Sequence, residues 1–267
     1  MQSVRPDVTV EHARPGVVCL HSSASSPRQW RRLGEQWPGF DVATPNLLGY
    51  GDQSWQPGRP HDMADEVRVA RAAVESCGRP VHLIGHSFGG AVAILLALEV
   101  PRRIRTLTLF EPVLFPLLYE AAEDSGREVW LLQTDVRRLV KRHRCREAAE
   151  RFVDYWNGTG AFRNMAERAQ EAVTRMVSKV ASEFAALISS PIAESDLREL
   201  RVPTLLLYGE RSPASTRDIS RLLARILPCR QQLGFEGLGH MGPVEDPERV
   251  NAAIAAFIGR HTVPRFA

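Results

Sequence analysis

The sequence predicts an α/β fold, a mostly parallel central sheet flanked by helices and opened once by an insertion of helices alone. Three observations predict it. Six short apolar runs, Val17–His21, Phe40–Thr44, Val81–Gly85, Thr106–Phe110, Thr204–Tyr208 and Gln231–Phe235, alternate with longer amphipathic stretches, as parallel strands joined by helical crossovers do. Several of the runs are hydrophobic without interruption, which suits strands covered on both faces. The alternation then stops between Val113 and Leu200, where only helical spacing is found.

The elements follow in order. A weak strand at Val8–Glu11 precedes the six stronger runs. Helices are expected at Met63–Cys77, Phe88–Val100, Arg217–Leu227 and Pro247–Arg260, the first punctuated by Gly78 and Pro80 before its following strand. Inside the interruption, Leu132, Val136, Leu139 and Val140 form one apolar stripe, and Ala148, Ala149, Phe152, Val153 and Trp156 a second. Met165, Ala169, Ala172, Val173, Met176, Val177, Val180, Phe184, Leu187 and Ile188 form a third. The organisation expected is therefore a core from 1–112 and 201–267, with 113–200 a helical cap over the strand tips.

Composition narrows the function. The 267 residues suit one large domain with an insertion, and 44% hydrophobic residues suffice for a sizeable core. Lys and Arg total 34 against 31 Asp and Glu, a balance that argues against a nucleic-acid partner. Cys19, Cys77, Cys145 and Cys229 stand far apart, so free thiols are expected rather than a disulfide framework or a zinc site. There is no apolar leader, no membrane-length apolar run and no phosphate-cradling glycine loop. A cytoplasmic protein without cofactor, metal or stable membrane insertion is the expectation; oligomeric state stays open.

The chemistry centres on Gly85-His86-Ser87-Phe88-Gly89, which follows the strand Val81–Gly85 and opens an apolar helix. A Gly-x-Ser-x-Gly between strand and helix is a nucleophile elbow. The turn strains the serine, lifts its oxygen above the sheet and sets it at a helix N-terminus that favours developing negative charge. A serine hydroxyl is a poor nucleophile near neutral pH and needs a base within hydrogen-bond reach. His240 is the candidate, in the loop Gly237-Leu238-Gly239-His240 after the last strand. His86, beside the serine, reads as a packing residue.

These features, in this order, resemble the α/β-hydrolase superfamily over nearly the whole chain. Leu20-His21-Ser22-Ser23 stands where that family has a His-Gly-x loop. Pro45-Asn46-Leu47-Leu48-Gly49-Tyr50-Gly51 resembles its Pro-Asp-x-x-Gly-x-Gly turn, and Leu206-Leu207-Tyr208-Gly209-Glu210 its penultimate strand and loop. The resemblance implies a serine nucleophile at Ser87, a histidine base at His240 and no cofactor. Its oxyanion hole would use the backbone N–H groups of Phe88 and Ser23, although serine stands at 22 where glycine is usual.

The family's acid follows the penultimate strand, but Ser212 occupies that place. Glu111, directly after the strand Thr106–Phe110, is the leading replacement, because groups at the carboxyl ends of neighbouring strands gather at one site. A carboxylate ending an apolar strand also needs a buried partner. Glu210 and Asp218 remain alternatives. Asp52 reads as a turn residue, and Trp30 and Trp55 as packing or pocket-wall residues. Leu114, Phe115, Leu117, Leu118 and Tyr119 suggest an apolar cap entrance and a small-molecule substrate with an apolar acyl or aromatic part. The basic run Arg137–Arg146 reads first as a solvated helix face and secondly as a lure for anionic substrates. The activity expected is hydrolysis of a carboxylic ester through an acyl-enzyme. The alternatives are hydrolysis of a carbon–carbon bond on the same fold, and a non-catalytic ligand-binding homologue.

Overall fold

The computed structural model describes residues 14–58, 61–190 and 192–262. Six strands form one wholly parallel sheet: β1 (Gly16–Leu20), β2 (Asp41–Ala43), β3 (Val81–His86), β4 (Ile104–Phe110), β5 (Thr204–Gly209) and β6 (Arg230–Phe235), in the order β2-β1-β3-β4-β5-β6. All six anticipated runs are strands. The weak run at Val8–Glu11 lies outside the described residues. β4 begins earlier than its apolar run suggests, because Arg105 faces solvent and breaks the hydrophobic signal.

Alternation along the strands divides the core. In β1 every residue is buried; Val18 and Leu20 face one side of the sheet, Val17 and Cys19 the other. The first face is covered by α2 (Met63–Ser76) and α3 (Phe88–Glu99), the second by α1 (Arg31–Gln36) and α12 (Pro247–Thr262). The Asp62 carboxylate accepts from the Asp65 N–H at 3.0 Å and so caps α2, whose first turn also carries Asp65 and Glu66 at the positive end of the helix dipole. β6 is an edge strand, and its residues Arg230 to Leu233 are exposed.

Between β4 and β5 the described residues are helical: α4 (Phe115–Glu120), α5 (Asp124–Lys141), α6 (Cys145–Asn157), α7 (Ala161–Asn164), α8 (Glu167–Ile188) and α9 (Glu194–Glu199). The three long helices pack on one another through the stripes anticipated above. α10 (Ala214–Ile226) and the short α11 (Gly242–Glu245) follow β5 and β6.

Candidate active site

The sharpest turn in the sheet is one residue long. β3 ends at His86 and α3 begins at Phe88, so Ser87 alone reverses the chain, with φ 55° and ψ −116°. A non-glycine residue there carries about 1–3 kcal/mol of strain unless its surroundings hold it. Its N–H donates to Phe110 O at 3.0 Å, and its carbonyl accepts from Gly90 and Ala91 of α3. The flanking glycines are sterically required. A Cβ on Gly85 would lie 2.4 Å from Gly89 O, and one on Gly89 would lie 2.5 Å from His21 O.

Strand register delivers the carboxylate. His86 of β3 is level with Phe110 of β4, and Phe110 is level with Leu207 of β5. Ser87 and Glu111 therefore each stand one residue beyond the paired tips. Glu111 itself has φ 45°, and its N–H is held by Leu207 O at 3.0 Å. His240, in the loop after β6, lies between them. Its Nε2 is 2.9 Å from Ser87 Oγ, and its Nδ1–H donates to Glu111 Oε2 at 2.6 Å. Glu111 Oε1 accepts from the Gly209 N–H at 2.7 Å, so both carboxylate oxygens are engaged. All three residues are buried, Glu111 completely. An imidazole held this way can take the serine proton while the carboxylate fixes its tautomer and stabilises the resulting cation.

Two aromatic rings hold His240 further. His86 Nε2–H donates to the His240 carbonyl at 2.8 Å. Burial pushes the His86 imidazolium well below the usual histidine range, so the ring is neutral; its Nδ1 has no partner among the described residues. Trp156 of α6 stacks on the imidazole, centroids 4.3 Å apart and planes 25° from parallel. Sequence reading missed both roles. Histidine beside an elbow serine looks like packing, and Trp156 sits in an apolar stripe indistinguishable from core.

The loop after β1 is held as firmly. His21 Nδ1–H donates to Ser22 O at 2.8 Å and its Nε2 accepts from the Leu47 N–H at 3.2 Å, while burial pushes its pKa down to about 4. The Ser22 N–H and Oγ both donate to Gln29 Oε1. Ala24, at φ 53°, donates its N–H to the Tyr50 hydroxyl at 2.9 Å. Ser23, between these anchors, borders the space above Ser87. The Phe88 N–H is the first of α3, a position with no partner inside the helix.

A cavity of about 330 Å3 opens above Ser87 and His240, walled by Ser22, Ser23, Ala24, Phe152, Val153, Trp156, Asn157, Ala161, Met165, Val173 and Met241. Of the residues anticipated at its entrance, Phe115 borders a narrower recess behind it; Leu114, Leu117 and Leu118 are buried in the core. The remaining candidates sit elsewhere. Glu210 is exposed, and Asp218 bonds Ser125 Oγ and Arg221. Ser212 is buried, its hydroxyl without a partner among the described residues. Asp52 accepts from Asn46 Nδ2 at 2.8 Å, a turn role. Trp30 is buried in the core on the α1 and α12 face; Trp55 does not border the cavity. Arg137, Arg138, Lys141 and Arg142 are solvent-facing or nearly so and border a groove of their own. Among the described residues no group of three His, Cys, Asp or Glu is placed to hold a metal ion, and no helix is long and apolar enough to cross a membrane.

A charged cluster lies behind the recess. Lys179 of α8 donates to Glu66 Oε1 at 2.7 Å and to Glu183 Oε1 at 3.1 Å, and Tyr50 O–H donates to Glu183 Oε1 at 2.7 Å. Glu66 also meets His61 Nε2 at 2.9 Å and accepts from the Leu48 N–H at 3.0 Å. Burial alone would raise the Glu66 carboxyl, but its bonds to His61 and Lys179 outweigh this and hold it below the usual range. No sequence motif marks this cluster, because its members come from α2, α8 and the β2–α2 loop.

Residues 17–253 match the model of the alpha/beta hydrolase family. The chain is 36% identical to the lipase LipV of Mycobacterium tuberculosis over 97 residues, a match spanning only 36% of each chain. It is 24% identical to a 2-hydroxy-6-oxo-2,4-heptadienoate hydrolase of Pseudomonas putida over 245 residues, 86% of this chain and 83% of the relative. Among solved structures, a thermophilic esterase from Thermogutta terrifontis superposes with a TM-score of 0.73 at 26% identity, covering 93% of this chain and 91% of the other.

Proposed function

The chain belongs to the alpha/beta hydrolase family, and from that premise we propose that it is a serine hydrolase of carboxylic esters working through an acyl-enzyme on Ser87. One observation carries the reading: His240 bridges the Ser87 hydroxyl and the buried Glu111 carboxylate, at 2.9 and 2.6 Å. His240 takes the proton as Ser87 Oγ attacks the ester carbonyl. The N–H groups of Phe88 and Ser23 receive the oxyanion, and the strained serine is already presented to the substrate. His240 then protonates the leaving alcohol. In the second half it deprotonates a water that releases the acid and regenerates Ser87. Glu111 takes the part of the missing aspartate at 212, and the exposed position of Glu210 argues against that side chain.

Residues 113–200 act in this reading as a cap: Phe152, Val153, Trp156 and Val173 enclose the substrate and favour an apolar group next to the reacting carbonyl. A reducing cytoplasmic setting fits the four free cysteines. The second reading, hydrolysis of a carbon–carbon bond, draws on the likeness to the Pseudomonas putida hydrolase. Labelling with a fluorophosphonate and peptide mapping test the first reading. Stoichiometric modification of Ser87, with turnover of p-nitrophenyl esters, is expected. A labelled enzyme inert to every ester but active on vinylogous diketones selects the second reading. A chain that does not label leaves a ligand-binding homologue.

A further inference from the structure

The recess behind Ser87 is lined in part by Glu183, one of whose carboxylate oxygens has no hydrogen-bond donor among the described residues. This space of about 10 Å3 lies between Ser87 and Ser23 on one side and Glu183 on the other, with apolar walls that include Val113, Val180 and Phe184. It has room for one water-sized group. Glu183 is 1% exposed. Its Oε1 is held by Tyr50 O–H at 2.7 Å and Lys179 Nζ at 3.1 Å, while Oε2 has no donor among the described residues. The two donors come from different elements, so the carboxylate cannot swing away to find solvent without breaking both bonds. A buried acceptor held in place and without a protein donor is suited to receive a hydrogen bond from a bound molecule.

We propose that Glu183 Oε2 is a specificity subsite that accepts a hydrogen bond from a hydroxyl on the acyl group of the substrate; this rests on the ester-hydrolase reading above. Ser87 and Ser23 border the same recess, so a group seated there lies within a few bonds of the carbonyl carbon under attack. The substrate class is therefore a short 2- or 3-hydroxyacyl ester. An ammonium is a poorer fit, because Lys179 Nζ already occupies the same carboxylate and repels a second cation. An acyl chain with methyl in place of hydroxyl leaves Oε2 desolvated and unpaired, and sites built to bond a hydroxyl reject such analogues strongly.

The test compares kcat/KM within matched pairs, ethyl 2-hydroxybutanoate against ethyl 2-methylbutanoate and ethyl 3-hydroxybutanoate against ethyl 3-methylbutanoate. In the wild type at least one pair favours the hydroxyl member by about ten-fold or more. In Glu183→Leu an apolar side chain replaces the carboxylate, so the recess offers a hydroxyl neither an acceptor nor a donor. The ratio then falls to unity or below. A ratio within one protein does not depend on how much of it folds. If Glu183→Leu is insoluble, Val180→Phe, which fills the recess, carries the same expectation. A wild-type ratio near unity for both pairs, or a ratio unchanged in the variant, overturns the subsite. Fluorophosphonate labelling, done first, separates the two proposals. A wild type that labels at Ser87 but shows no hydroxyl preference overturns the subsite alone. One that turns over no ester, whether or not it labels, overturns the ester-hydrolase reading. The subsite is then read from calorimetric binding of the same pairs, where equal affinity overturns it.

Discussion

Two buried glutamates, one at the strand tips and one in the helical segment, meet the cost of burial in different ways. Glu111 has both oxygens engaged, one by His240 Nδ1 and one by the Gly209 N–H. Glu183 has both its donors on a single oxygen, and its other oxygen has no donor among the described residues. A desolvated carboxylate is tolerated only when partners replace its water. The fully paired group is suited to orient machinery, because nothing remains for a ligand to complete. In the subsite proposed above, the half-paired group keeps its free oxygen for a substrate hydroxyl. Local helix or strand preference explains neither fully: Glu111 takes its partners from β5 and the loop after β6, and Glu183 pairs with Lys179 one turn away on its own helix but also needs Tyr50 from the β2–α2 loop.

The largest effect expected comes from breaking the paired side. Glu111→Gln leaves His240 in place but removes the negative charge, and the rate of Ser87 labelling should fall about 10⁴-fold. A fall of less than ten-fold would mean that Glu111 merely braces the Gly209 loop.

Breaking the other side should act on stability. Lys179→Met removes the ammonium shared by Glu66 and Glu183 and should cost about 3–5 kcal/mol, as when one partner of a buried pair is lost. At about 2–4 °C per kcal/mol for a chain of this size, calorimetry should record a drop of roughly 10 °C in Tm. An unchanged Tm would show that the cluster contributes nothing net.

A smaller effect tests positioning. His86→Phe keeps the ring and loses the bond to the His240 carbonyl. Displacing the imidazole should lower kcat by about ten- to a hundred-fold with KM nearly constant. Equal changes in both constants would assign His86 to substrate binding instead.

The gentlest probe is pH. Burial lowers His21 and His82 to about 4, and His86 well below 6.5, so the folded chain holds all three neutral. The unfolded chain takes up protons below about pH 6.5 that the folded chain refuses. Stability should therefore be fully present above that pH and decline steadily from 6.5 towards 4. A Tm that stays flat between pH 7 and 5 would contradict these burial effects.

Much of the molecule was legible before any coordinates. Apolar runs marked all six strands, since a fully covered strand such as Gly16–Leu20 can be built from little but apolar residues. The elbow was legible because its Gly-x-Ser-x-Gly spacing follows a strand and opens a helix; a Cβ on Gly85 would meet the turn itself and one on Gly89 the end of β1. Ser87 and His240 followed from chemistry that leaves few substitutes. Glu111 was reachable only by topology: Ser212 had removed the usual acid, and strand order put β4 next to β3.

Other features were hidden for a physical reason. Trp156 carries the same apolar signal whether it fills a core or stacks on an imidazole. Lys179, Glu183, Glu66, His61 and Tyr50 look like ordinary surface residues along the chain, because their burial depends on α8 lying against α2 and the loop before it. The sequence by itself determined the strands, the elbow and a serine and a histidine as the candidate nucleophile and base, which rest on hydrophobic patterning and on the few side chains able to play those parts. Tertiary structure alone decided which carboxylate faces His240, which tryptophan covers it, and which buried carboxylate lines the recess beside Ser87. Those outcomes depend on distances between side chains far apart in the chain, and no local property encodes them.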